Sequence, residues 1–315
     1  MDLATLPVLP LDDDPDRFAA AIGRSFRDFG FAMVSNHGID ADLVERGWNL
    51  IGEFFSLPEE EKRGYHIEGI AGARGYIPFG TEIAKDAVVH DLKEFWHIGR
   101  DLPPGHPLES TMPPNIWPRS PEGFRDTFRQ LYMEFDRIGA VILSRIAVHL
   151  GLAADWFDPA IAEGNSVMRL LHYPPVPESA GDAIRAAPHE DINLITLLLG
   201  AEESGLELLG RDGRWKPVSP PEGALVVNIG DMLQRLTNHV LPSTTHRVRN
   251  PESGRTGFSR YSMPFFLHLR SDFRFRTLAQ CVTAENPDRY AESITADEYL
   301  QQRLREIGLI PSQPG

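Results

Sequence analysis

Cysteine is almost missing from this chain: 315 residues hold one, Cys281. That excludes an internal disulfide and a cysteine-built zinc site, and leaves the thiol to be read as a small packed residue. Cations are outnumbered, with 31 Lys and Arg against 45 Asp and Glu, for a net charge of -14. No basic stripe is present to neutralise phosphates, so no nucleic-acid partner is expected. An anionic ligand is not excluded, because a local Arg can dominate inside an acidic protein. No apolar run approaches the roughly 18 residues of a membrane span. The opening MDLATLPVLPLDDDPDRF also lacks the basic and apolar regions of a signal peptide. The expectation is a cytoplasmic protein with no membrane partner. Internal repeats and low-complexity tracts are missing too, so residues 1–315 read as a single domain. The oligomeric state is left open, and a monomer is compatible with everything in the sequence.

What is present falls into two halves. Asp13 or Asp14 before Pro15 marks a helix start. Phe18, Ile22, Phe26 and Phe29 follow at helical spacing, and Gly30 ends the run. Phe31-Ala32-Met33-Val34 reads as a short strand. A second helix is expected from Asp40 to Phe55, burying Leu43, Ile51 and Phe55, and a third from Pro58. Residues 64–118 read as loops rich in Gly, Pro and His, containing Arg74-Gly75-Tyr76 and Asp91-Leu92-Lys93-Glu94-Phe95. Loops of that length often form pocket walls. Residues 1–120 are therefore expected to be a helical N-terminal region. Between Gly123 and Leu150, Phe124, Phe128, Leu131, Phe135, Ile138, Ile142 and Ile146 predict a helix of about 40 Å, long enough to buttress a sheet.

Beyond Asn165 the period shortens. Val167–Tyr173, Leu194–Leu199, Leu206–Leu209, Ala224–Ile229, Thr244–Val248 and Phe258–Leu267 are β-rich runs separated by Gly, Pro, Asn and Asp. The fold class expected is α+β: a double-stranded β-helix (jelly-roll or cupin-like) core over 160–275, buttressed by helices. Thr295 and Glu298 predict a capping box for a closing helix.

The chemistry centres on His189-Glu190-Asp191 and on His246. A histidine and a carboxylate two residues apart share one face of an extended strand, because strand side chains alternate. His246 supplies a second imidazole from far along the chain. Two imidazoles and one carboxylate with open positions are what non-haem Fe(II) oxygenases use; zinc is the competing metal. Glu190 should point the other way. Arg247, beside His246, should also turn away and pair with an acid. Arg260 and Ser262, again two apart, offer a guanidinium fork and a hydroxyl to a carboxylate.

In this order, HED at 189–191, VVNIGD at 226–231, STTHRV at 243–248 and RYSMPFF at 260–266 resemble one family. HYPP at 172–175 and FGFAMVSNHGI at 29–39 also match. The sequence is similar to the Fe(II)- and 2-oxoglutarate-dependent dioxygenases, in the isopenicillin N synthase-like branch, from about Leu6 to Ile310. The resemblance implies an iron oxidoreductase with His189, Asp191 and His246 as metal ligands. It implies 2-oxoglutarate as cosubstrate, held by Arg260 and Ser262 near Tyr173, and O2 as oxidant. A small-molecule substrate would be hydroxylated or desaturated, with succinate and CO2 released. Many relatives carry Asn where this chain has Leu171, so one polar contact to the cosubstrate is missing or comes from elsewhere. The Asn228-Ile229-Gly230-Asp231 run matches the family and reads as a structural turn. Arg74, Tyr76, Phe79, Phe266 and His268 are substrate-pocket candidates, placed by their position relative to the motifs. Alternatives are an isopenicillin-N-synthase-like oxidase without 2-oxoglutarate, an ethylene-forming-type enzyme, or a catalytically silent metal-binding barrel.

Overall fold

The computed structural model describes residues 6–70, 72–81, 91–176, 184–200, 205–251, 257–290 and 292–306. Two sheets face each other, and a helical layer covers the outer face of the larger one. Chain order begins β1 (Val8–Pro10), α1 (Pro15–Phe29), β2 (Phe31–Ser35), α2 (Ala41–Phe55), α3 (Glu59–Arg63), β3 (Gly75–Ile77), β4 (Glu94–Gly99) and α4 (Phe124–His149). It continues α5 (Asp158–Ile161), β5 (Val167–Tyr173), β6 (Ala186–His189), β7 (Ile195–Leu199), β8 (Leu206–Leu209), β9 (Trp215–Pro217) and β10 (Leu225–Ile229). It ends α6 (Asp231–Leu236), β11 (His246–Val248), β12 (Arg260–Leu267), β13 (Arg274–Phe275), β14 (Ile294–Thr295) and α7 (Ala296–Glu306). Among the described residues no helix is long and apolar enough to cross a membrane.

The helix ends follow the local chemistry that predicts them. Asp14 accepts the Arg17 N–H at 3.0 Å to cap α1, and Gly30, at φ 68°, stops it by donating its N–H to Phe26. Asp40 caps α2 through the Leu43 N–H at 2.8 Å. Thr295 and Glu298 exchange the two bonds of a capping box at 2.8 and 3.1 Å.

The large sheet runs β1-β2-β10-β7-β12-β5-β4-β3, antiparallel except at β1-β2, and the small sheet runs β6-β11-β8-β9. The N-terminal region is not helical alone, because β1 to β4 all join the large sheet. Residues 75–77 and 94–99, expected as loop, are strands. The run 94–99 alternates Glu94, Trp96 and Ile98 on the helix side with Phe95 toward the small sheet. It lies among turn formers that obscure its period. The alternation of the large sheet creates two cores. One, between sheet and helices, holds Phe54, Trp96, Phe128, Phe135, Leu197 and Phe265. The other, between the sheets, holds Phe31, Phe95, Leu171, Tyr173, Leu206 and Val248. Helix α4 is the main buttress, and its Phe135 ring stacks on Phe265 at 5.7 Å with full burial.

Phe135→Ala empties the centre of the first core and is expected to cost about 3–5 kcal/mol. Urea unfolding of the metal-free protein measures it.

Candidate active site

The small sheet brings the two histidines together directly. His246 on β11 pairs with His189 at the end of β6, and their rings lie 4.4 Å apart between centroids. Strand β6 ends at His189, so Asp191 lies beyond the strand, contrary to the expectation from sequence. Asp191 reaches the histidines from the following turn, whose carbonyls accept the N–H groups that open α6: Asp231 to Asp191 at 2.7 Å and Met232 to Asn193 at 3.1 Å. Ligating atoms of His189, Asp191 and His246 all lie within 4.8 Å of one another.

Each member of this cluster could serve as a metal ligand. Nδ1 of His189 faces the Ala187 carbonyl at 2.7 Å, and Nδ1 of His246 faces the Thr244 carbonyl at 3.1 Å. A carbonyl can only accept, so both Nδ1 atoms carry the proton and both Nε2 atoms present lone pairs. Burial and the neighbouring His246 push the His189 imidazole down to about 4, which keeps it neutral. Burial alone would raise the Asp191 carboxyl. The two imidazoles and hydrogen bonds from Asn228 and Thr196 overcome it and hold that carboxyl below the usual range. Those bonds run from Asn228 Nδ2 at 2.8 Å and Thr196 Oγ1 at 2.5 Å, both to Oδ2. Asn193 in turn donates to Thr196 at 2.9 Å. Two imidazoles and one carboxylate suit a divalent iron site.

Arg260, Ser262, Pro264 and Phe266 project from alternate positions of β12 into the cavity that His189, Asp191 and His246 also line. Arg260 pairs in register with Tyr173, its guanidinium 5.2 Å from the ring centroid, and Ser262 pairs with Leu171. Phe31, Leu198, Leu206 and Val248 make the apolar walls, and Lys93 and Arg169 add two cations. Glu190 turns out of the cavity to accept from Thr245 at 2.9 Å, and Arg247 pairs with Glu207 at 2.7 Å.

Of the five substrate-pocket candidates, only Phe266 lines the cavity. Arg74 packs its guanidinium against Gly99 and donates to the Ala73 carbonyl, buried within the fold. Tyr76 lies in the helix-side core and donates to Glu94, because alternation in β3 turns its neighbour Ile77 toward the small sheet instead. Phe79 is 42% exposed. His268, just past β12, lies outside the cavity lining; burial pushes its imidazole down to about 4, with Asp191 pulling the other way. Sequence reasoning missed Thr196, Asn193 and Asn228 as supports of Asp191. Asn228 did carry a signal, a buried polar residue inside the otherwise apolar strand Leu225–Ile229.

Residues 164–269 match the 2OG-Fe(II) oxygenase superfamily, and residues 1–120 match the family described as non-haem dioxygenase in morphine synthesis N-terminal. A 2-oxoglutarate-Fe(II) type oxidoreductase, hxnY, of Emericella nidulans is 32% identical over 287 residues, covering 88% of this chain and 81% of its own. A crystal structure of a 2OG-Fe(II) oxygenase family protein from Caulobacter crescentus superposes with a TM-score of 0.89 at 54% identity, covering 96% of this chain and 99% of that one. A full-length Neurospora crassa protein, solved in complex with alpha-KG and thymine, superposes at 0.84 with 30% identity, covering 95% and 96%.

Two outcomes are expected. Asn228→Leu removes a donor from the Asp191 carboxylate and should weaken Fe(II) binding about 10–100-fold, as read by anaerobic metal titration. His268 keeps its imidazole neutral to about 4 when folded, against 6.5 ordinarily. The unfolded chain therefore gains a proton in that window that the folded one refuses, and stability falls as pH drops through it. His268→Leu should make the fall in urea midpoint between those two pH values shallower.

Proposed function

The chain belongs to the Fe(II)- and 2-oxoglutarate-dependent oxygenases, and from that premise we propose that His189, Asp191 and His246 hold its iron. In the same proposal Arg260 and Ser262, beside Tyr173, receive the distal carboxylate of 2-oxoglutarate. The protein is a dioxygenase that uses Fe(II), 2-oxoglutarate and O2. The observation that carries the assignment is the cluster of three ligating atoms within 4.8 Å, on the wall of the cavity that Arg260 and Ser262 enter.

Bound iron and cosubstrate supply the oxidising chemistry, in which 2-oxoglutarate and O2 give succinate and CO2 as the substrate is oxidised. The side chains organise it. The backbone carbonyls of Ala187 and Thr244 fix both imidazole tautomers toward the metal. Asn228 and Thr196 keep Asp191 charged. The planar Arg260 fork can take a carboxylate by two parallel bonds, with Ser262 adding a third donor. Phe31, Leu198, Leu206, Val248 and Phe266 exclude water around the reacting atoms.

We carry a small-molecule substrate to this chain from its relatives, among them the Neurospora crassa protein solved with thymine. Hydroxylation or desaturation is the reaction class. A cytoplasmic location belongs to the same reading.

Loss of a metal ligand separates from loss of a cosubstrate contact. His189→Ala or Asp191→Ala should abolish Fe(II) binding, and near-native iron affinity in either variant would sink the ligand assignment. Arg260→Ala should spare iron and raise the 2-oxoglutarate needed for the visible charge-transfer band, and for succinate release, by about tenfold or more. An unchanged requirement would place the cosubstrate elsewhere.

A further inference from the structure

Residues 91–93 precede β4 and lead it into the large sheet beside β5. Glu94 pairs with His172, so the residue before it falls beside Tyr173. Arg260 pairs with Tyr173 from the other side. With neighbouring strands about 4.8 Å apart, Lys93, Tyr173 and Arg260 form one row across the sheet, and all three line the iron cavity. Two cationic side chains thus flank the tyrosine at the end of the cavity assigned to the cosubstrate.

The lysine is aimed by a built support. Its Nζ lies 2.9 Å from Asp91 Oδ2, with both side chains buried. Asp91 Oδ1 accepts the Ala187 N–H at 3.0 Å, and the Leu92 N–H donates to the Ile184 carbonyl at 3.3 Å. Residues 91–93 are therefore tied to the start of the strand that ends in His189. A buried ion pair is a poor source of stability, since apolar residues of similar volume often serve as well. Stability alone gives little reason to keep this pair on a cavity wall. Leu171, one step along the same wall and opposite Ser262, has no donor to offer.

We propose that Lys93 is a cosubstrate-binding residue: its ammonium, aimed by Asp91, donates to a carboxylate of 2-oxoglutarate and supplies the polar contact that Leu171 cannot. An ammonium has three N–H groups, so the bond to Asp91 is compatible with a second acceptor. Asp91 then acts as a positioning residue, and the N-terminal region contributes directly to the iron cavity. This inference rests on the placement of 2-oxoglutarate at Arg260.

The test is anaerobic titration of the Fe(II)-loaded protein with 2-oxoglutarate, following the visible charge-transfer band, with Fe(II) affinity measured separately. Lys93→Met keeps the length and removes the charge. Because it leaves Asp91 buried without its cation and can fail to fold, the Asp91→Asn/Lys93→Met pair removes both charges together. Both variants should bind 2-oxoglutarate about tenfold or more weakly, as loss of a charge-assisted bond implies. Iron affinity should stay within about twofold of the parent, and Lys93→Arg should recover most of the cosubstrate binding. Parental 2-oxoglutarate affinity in the double variant overturns the proposal. So does a loss that falls on iron, or on the substrate KM, in place of 2-oxoglutarate. Arg260→Ala run in parallel separates the two failures. If it too binds 2-oxoglutarate normally, the cosubstrate placement fails; if it alone is weakened, only the role of Lys93 fails.

Discussion

An ionised carboxylate held out of water is costly unless hydrogen bonds replace those it has lost, and Asp191 is such a group. Its Oδ2 takes donors from Asn228 on β10 and Thr196 on β7, and its own carbonyl takes the Asp231 N–H at the start of α6. The register Asn228↔Thr196 in the β10-β7 pair is what lets both side chains reach one oxygen. Because strand side chains alternate, a slip of one residue in either strand would turn its donor into the helix-side core. The geometry of the His189, Asp191 and His246 cluster and the central pairing of the large sheet are therefore one constraint. Phe135, Leu197 and Phe265, packed on the other face, hold that pairing in place.

The same alternation explains how a protein of net charge -14 presents a cationic cavity. Among the described residues Lys93, Arg169 and Arg260 enter it, against the one carboxylate of Asp191. Asp91 supports Lys93 from the side, and Glu207 on β8 draws Arg247 away from the site. Overall charge governs the distant field, whereas a few desolvated groups govern what binds inside.

Much of this was legible in the sequence. Helical spacing with Asp14, Asp40 and Gly30 as punctuation is local chemistry, so α1, α2 and α4 could be read to within a residue or two. The apolar β-runs of the second half were equally local. What escaped was long-range. Strands β3 and β4 carry Gly75, His97 and Gly99, which read as loop until β5 pairs with β4 and gives those residues an extended partner. Without that pairing there was no face to assign, and Arg74 and Tyr76 were placed in the pocket by nearness along the chain. Once the pleat is known, Tyr76 must face the helices. In the site, His189, Asp191 and His246 were readable as residue types at suggestive spacing. Their supports Thr196 and Asn193 were not, since Thr is an ordinary strand residue and Asn an ordinary turn residue, and neither stands out at its position.

The pleat of β4 also joins the two halves of the chain. On its helix side Glu94 meets Lys62 at 2.7 Å, His172 at 2.6 Å and the Tyr76 hydroxyl, tying α3, β3 and β5 into one buried network. The Lys62 and His172 bonds more than offset the burial that would raise the Glu94 carboxyl, and hold it below its ordinary value. Removing Lys62 would leave the Glu94 carboxylate without its cation in the core, and the His172 and Tyr76 bonds tie the same carboxylate to β5 and β3, so the network fixes the height of β4 against β5. On the opposite face that height decides where Lys93 stands relative to Tyr173 and Arg260. A polar cluster that never touches the cavity thereby sets the position of a cation inside it. Rigid placement from behind is what an oxygenase pocket needs, because the geometry around the metal must be kept while cosubstrate and substrate exchange.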